Sequence, residues 1–156
     1  MMNHAYMTRL VLLAAAGMLG ACGTAVDSAE LEPLTGYTEW HRIDSSGPVP
    51  GHGNTYRIIY VNDIARTYSH AGPYPIGSIV VKEIHAKADD GSPGGLSYLG
   101  VMRKLDQAPS GVELEGGWLF TTAGELGDTE VQPSSSCWAV CHIQAPVDGA
   151  WFDYGR

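Results

Sequence analysis

Basic residues are scarce in this chain: nine Lys and Arg stand against 17 Asp and Glu, for a formal net charge of −8. That balance argues against nucleic acid as a partner, because phosphate recognition needs a basic surface. Cysteine is scarce as well. Of the three thiols, Cys137 and Cys141 form one C-x-x-x-C, Cys22 stands apart, and no second pair exists to complete a four-ligand zinc set. Long apolar runs are missing. The only extended one covers residues 10–19, well short of the ~20 residues that a membrane-spanning helix requires. No internal repeat and no alternation of strand and helix is visible, which argues against a doubly wound sheet.

What is present begins with an export signal. Residues 1–9 hold His4 and Arg9, and the apolar run 10–19 follows as the core of a signal peptide. Leu19-Gly20-Ala21-Cys22 resembles a bacterial lipobox, in which the Cys is lipidated and becomes the first mature residue. The other reading is ordinary cleavage after Ala21 or Ala25, which leaves Cys22 lost or idle. We expect a lipoprotein-type signal over 1–21, lipidation at Cys22, and a membrane partner reached through the lipid rather than a span. Gly23 offers no acidic retention signal, so a periplasmic protein anchored to the outer membrane is favoured. Losing Arg9 with the signal leaves 8 basic residues against 17 acidic ones, a mature net charge of −9. Residues 22–35 are small, polar and acidic and read as a flexible tether. The domain is expected over 36–156.

Within that domain, 37–43 reads as a helix or a strand and 45–53 (SSGPVPGHG) as turn. Residues 55–61 (TYRIIYV) are aromatic and β-branched, a strand pattern. Asn62 or Asp63 caps a short helix running to about Ser69. The clearest strand is 77–85 (GSIVVKEIH), followed by a turn at 89–95 and a hairpin partner at 96–105. A loop covers 108–117, a short strand 118–122, and a helical turn begins at Cys137. Together these predict an α+β class: a mainly antiparallel sheet with short flanking helices and a C-terminal cofactor segment.

Cys137-Trp138-Ala139-Val140-Cys141-His142 is a C-x-x-x-C-H motif. Two thiols four positions apart, about one helical turn, can each add to one vinyl group at the edge of a haem. The next residue then sets an imidazole beneath the iron. The motif is one residue longer than the C-x-x-C-H signature of c-type haem attachment, and by that likeness it predicts one haem c bound through Cys137 and Cys141 with His142 as metal ligand. Such attachment takes place outside the cytoplasm, where the signal peptide would send the chain. A redox disulfide is the competing reading, but its usual βαβ setting is missing.

The remaining motifs resemble the cytochrome P-460 family, which includes the beta-type cytochromes c-prime. His52-Gly53-Asn54 leads into Tyr56–Ala65, and Tyr74-Pro75-Ile76-Gly77-Ser78 leads into Val80-Val81-Lys82-Glu83. Val101–Lys104, Gly117–Phe120, the C-x-x-x-C-H segment and Asp148…Trp151-Phe152 follow in the family's order. The resemblance covers roughly residues 36–153. It implies a mainly antiparallel fold, often a homodimer, and a five-coordinate haem with an open distal face. Members oxidise hydroxylamine, passing electrons to a redox partner cytochrome, or bind nitric oxide without catalysis.

In oxidising members a Lys is bonded to the haem. The resemblance nominates Lys82 for that bond, then Lys104 and Lys87. A solvated strand Lys remains the other reading of Lys82. The resemblance also implies a distal carboxylate that accepts protons, for which Glu125 is nominated, with Glu130 and Asp128 in the same loop. Nitric-oxide binders often cap the distal face with Phe, and only Phe120 and Phe152 are available. A third reading is a plain electron carrier with a sixth protein ligand. His41, His52, His70, His85 and Met102 are its candidates, although Met102 in an apolar stretch ordinarily fills core.

Overall fold

A computed structural model describes residues 23–49, 52–134 and 137–155. The expected signal peptide (1–21) and Cys22 lie outside the described residues. The fold is one seven-stranded antiparallel sheet. Its strands are β1 (Gly23–Ala25), β2 (His41–Val49), β3 (Gly53–Val61), β4 (Ile79–Lys87), β5 (Pro93–Lys104), β6 (Trp118–Ala123) and β7 (Val131–Pro133). The spatial order is β1-β7-β6-β5-β4-β3-β2. Among the described residues, helix is limited to α1 (Asp63–Arg66) and single turns, so the class is mainly β and the helical share of the α+β expectation is small.

Both faces of the sheet are covered. Ile59, Val61, Val80, Met102, Trp118 and Phe120 form one buried cluster with Tyr74, Ala150 and Tyr154 from the connecting and C-terminal segments. We call this the front. Ile58, Tyr60, Ile79, Val81, Leu99 and Val101 form the back cluster under Leu34 and Tyr37. Successive strand side chains point to opposite faces. Two covered faces therefore demand the unbroken apolar runs Ile58–Val61 and Ile79–Val81. Asn62 secures the step from β3 to β4. Its Oδ1 accepts from Ala65 N, capping α1, and from Ile79 N, while Nδ2 donates to Gly77 O at 2.8 Å.

Two expectations are corrected. Most of the turn expected at 45–53 is strand: β2 runs through Gly47 and Pro48, paired with Thr55 and Asn54 of β3. β2 is an edge strand, so a residue without an N–H and one with φ of 115° are tolerated there. The expected tether at 22–35 is not free over 23–35. β1 pairs with β7, Val26 and Leu34 are buried, and Val26 N donates to Glu130 O. A three-residue edge strand carries too little pattern to read from sequence.

The same segment is held by a buried charge. Arg103 lies on the back, 1% exposed, and donates to Glu130 at 2.5 and 2.7 Å and to Glu32 O at 3.3 Å. Glu130 also accepts from the Thr121 hydroxyl. Removing one member of a buried pair strands the other charge, at about 3–5 kcal/mol. Glu130→Ala is therefore expected to lower the thermal unfolding midpoint by roughly 10 °C. A shift under about 2 °C in a thermal melt would show that this pair does not clamp the fold.

Candidate functional site

The C-x-x-x-C-H segment follows β7 as a π-helical turn, Cys137–Cys141, continued by a tight turn, His142–Gln144. Cys137 and Cys141 are free and half-buried. The segment lies on the front of the sheet, with Cys137 and Trp138 packed against the front cluster. Phe120 of β6 meets the His142 ring at 4.7 Å between centroids and the Trp138 ring at 6.1 Å.

His142 is buried, and its Nδ1 donates to Gly149 O at 2.6 Å. A carbonyl can only accept, so the proton sits on Nδ1 and the lone pair on Nε2. That is the tautomer a metal-ligating imidazole needs. Burial pushes the His142 pKa down, opposed by the bond to Gly149 and helped by the Lys82 charge.

The turn that presents Gly149 is itself pinned. Val147 and Ala150 pair across it, and Asp148 takes a left-handed φ of 47°. Asp148 Oδ2 accepts from Lys104 Nζ at 2.8 Å and from Tyr74 N at 2.7 Å, and its carbonyl accepts from Trp118 Nε1 at 2.7 Å. Gly149 has φ of 79°, and a Cβ there would meet the Trp138 ring at 2.9 Å and Trp118 at 3.3 Å. Position 149 therefore needs glycine both for its backbone angle and for the close approach of two indoles.

Lys82 lies beside this segment. The register places Ile59, Lys82, Gly100 and Thr122 in one row across β3, β4, β5 and β6. Ile59 belongs to the front cluster, so Lys82 emerges on the front. Gly100 supplies no side chain beside it, and a Cβ there would find only Lys82 O within 4 Å, at 3.9 Å. Burial pushes the Lys82 pKa down to about 8. The Arg57 charge adds to that, and the Cys137 and Cys141 thiolates oppose it. Lys82 is thus within electrostatic reach of both thiols and of His142.

The other nominated residues lie elsewhere or are otherwise engaged. Lys104 is buried, bonded to Asp148 and to Gly116 O, with its ammonium 5.1 Å from the Trp118 ring. It positions the turn under His142. Lys87 is exposed at the end of β4. Glu125 is exposed in the turn after β6, where its backbone N donates to Asp128. No contact among the described residues joins it to Lys82 or His142. Glu130 is committed to Arg103 on the back. Met102 sits in the front cluster among Val80 and Phe120 as core. His85 is on the back with Glu83, and His70 pairs with Asp153.

One polar contact escaped sequence reasoning. His52 Nδ1 and the Tyr98 hydroxyl share a hydrogen bond of 2.8 Å. Tyr98 pairs with Ile84 in the next row of the front. The alternation Tyr98, Gly100, Met102 along β5 could have signalled the face, but nothing local shows that His52 folds back over it.

These residues fit a c-type haem. Two thiols sit one turn apart, the following imidazole keeps Nε2 free, and apolar rings back it. The bare strand position at Gly100 leaves room on the same face. Among the described residues, no group of three or more His, Cys, Asp or Glu could hold a metal ion by itself. No curated protein matches the chain. A family model described as Cytochrome P460 matches residues 34–151, a span that takes in the sheet from β2 to β7, Lys82, the C-x-x-x-C-H segment and the Gly149 turn. The chain therefore belongs to the Cytochrome P460 family, whose members are c-type haem cytochromes.

Proposed function

We propose that the protein is an exported mono-haem cytochrome that oxidises hydroxylamine and passes the electrons to a partner cytochrome. The observation that carries this reading is the placement of Lys82 on the same sheet face as Cys137, Cys141 and His142. Haem bound there would supply a redox-active iron and an open coordination position. Cys137 and Cys141 would hold it by thioether bonds. His142, oriented by Gly149 O, would offer Nε2 as the axial ligand. Lys82, with its pKa near 8, keeps a fraction of neutral amine at neutral pH, which a covalent bond to the macrocycle requires.

A second reading, reversible nitric oxide binding without catalysis, has its own support. None of the nominated carboxylates Glu125, Asp128 and Glu130 contacts Lys82 or His142 among the described residues. Protease digestion and mass spectrometry of the holoprotein separate the two readings. Hydroxylamine oxidation predicts one haem linking the Cys137–His142 peptide to the Lys82 peptide, and Lys82→Arg abolishing that link. Recovery of an unmodified Lys82 peptide from the wild type would favour the nitric oxide binder.

Lipidation at Cys22 belongs to the same proposal. With β1 starting at Gly23, a lipid on Cys22 would hold the sheet edge against the membrane with no slack, in place of a loose tether. The favoured site is the periplasmic face of the outer membrane. Cys22→Ala is expected to move the protein from the membrane fraction to the soluble periplasmic fraction. Unchanged fractionation would exclude the anchor.

A further inference from the structure

The front of the sheet carries a proton-handling group that the family resemblance did not nominate. We infer that His52, held by the Tyr98 hydroxyl, is the residue that takes a proton from a small acidic or N–H ligand bound at the haem site. This rests on the proposed haem reading and extends it, because it assigns to an imidazole the role expected of a carboxylate.

The placement comes from the register. Lys82 pairs with Gly100, and Ile84 pairs with Tyr98, so Tyr98 stands one front row along from the bare position at Gly100. His52, from the turn between β2 and β3, meets the Tyr98 hydroxyl at 2.8 Å, and the rings lie 6.4 Å apart between centroids. Tyr98 occupies Nδ1 and leaves Nε2 with no other hydrogen bond among the described residues. Both side chains lie within the electrostatic field of the haem-attaching segment: His52 responds to His142, and Tyr98 to Cys137.

The charges around His52 fit the role of an acceptor. Burial comes first in pushing its pKa down, to about 4, followed by Lys82 from β4, Arg57 from β3 and His142 from the C-terminal segment. The ring is therefore neutral at neutral pH and can accept a proton. Arg57 does not compete for the ligand, because its guanidinium is spent on Gly47 O, Thr55 and Ser45. In the transfer, the ligand's N–H or C–H proton passes to Nε2. The anion left behind then faces the imidazolium and Arg57, whose positive charges stabilise it.

The test uses two probes on the purified holoprotein. Hydrogen cyanide must lose its proton to bind oxidised haem, whereas nitric oxide binds reduced haem without proton transfer. His52→Gln is expected to slow cyanide association at neutral pH by ~100-fold, the usual scale of a lost general base, with nitric oxide association within threefold of wild type. Tyr98→Phe should slow cyanide by less, because it removes orientation and keeps the base. Cyanide association within threefold of wild type in His52→Gln would overturn the inference. So would an equal slowing of both probes, which would mean a collapsed pocket. A wild-type protein without a haem absorption band would overturn the haem reading itself, and this inference with it.

Discussion

The arrangement depends on one hydrogen bond, from His142 Nδ1 to the carbonyl of Gly149 at 2.6 Å. It fixes the tautomer, the ring plane and the nitrogen left to act. A bond to a backbone carbonyl is only as good as the position of that carbonyl. Here the carbonyl belongs to a turn in an unfavourable left-handed conformation at Asp148, and such a turn persists only where its surroundings over-determine it. Lys104, Tyr74 and Trp118 do so through three separate bonds to Asp148. The buried ammonium of Lys104 thus has a structural reason to exist: it converts the rigidity of β5 into the orientation of an imidazole on another segment.

The sheet supplies the second constraint. Because both faces are covered, its position relative to the C-terminal segment is set by packing on the front, while the back is closed by residues 26–37. Arg103 ties Glu130, just before β7, to the N-terminal segment through Glu32 O on that back face. One face is left for chemistry. On it the polar residues Lys82, Tyr98 and His52 stand beside the thiols. Polar groups placed in such surroundings are costly unless partnered, which makes their convergence on one face informative about use.

Much of this was legible in the sequence, and the limits have physical causes. The C-x-x-x-C-H motif is local chemistry, and β4 and the Asn62 cap are local geometry, so all three could be read directly. The face of Lys82 could not be read. Val80 and Val81 are both buried, so alternation gives no direction when each side is covered. β2 was masked by Gly47 and Pro48, which read as turn although an edge strand tolerates them. β1 and β7 are each three residues long, too short to carry a readable pattern. Glu125 was nominated from its place in the chain before the motif, and it is exposed in the turn after β6. His52 lay in a recognised motif, yet its partner Tyr98 is 46 residues away.

The central claim is that the chain carries haem attached through Cys137 and Cys141 and ligated by His142. The most direct measurement is the visible absorption of the protein, produced with a working cytochrome c maturation system and then denatured and extracted with acidified organic solvent. The account predicts that the haem band stays with the polypeptide after extraction. A colourless polypeptide, or colour that leaves entirely with the solvent, would contradict it.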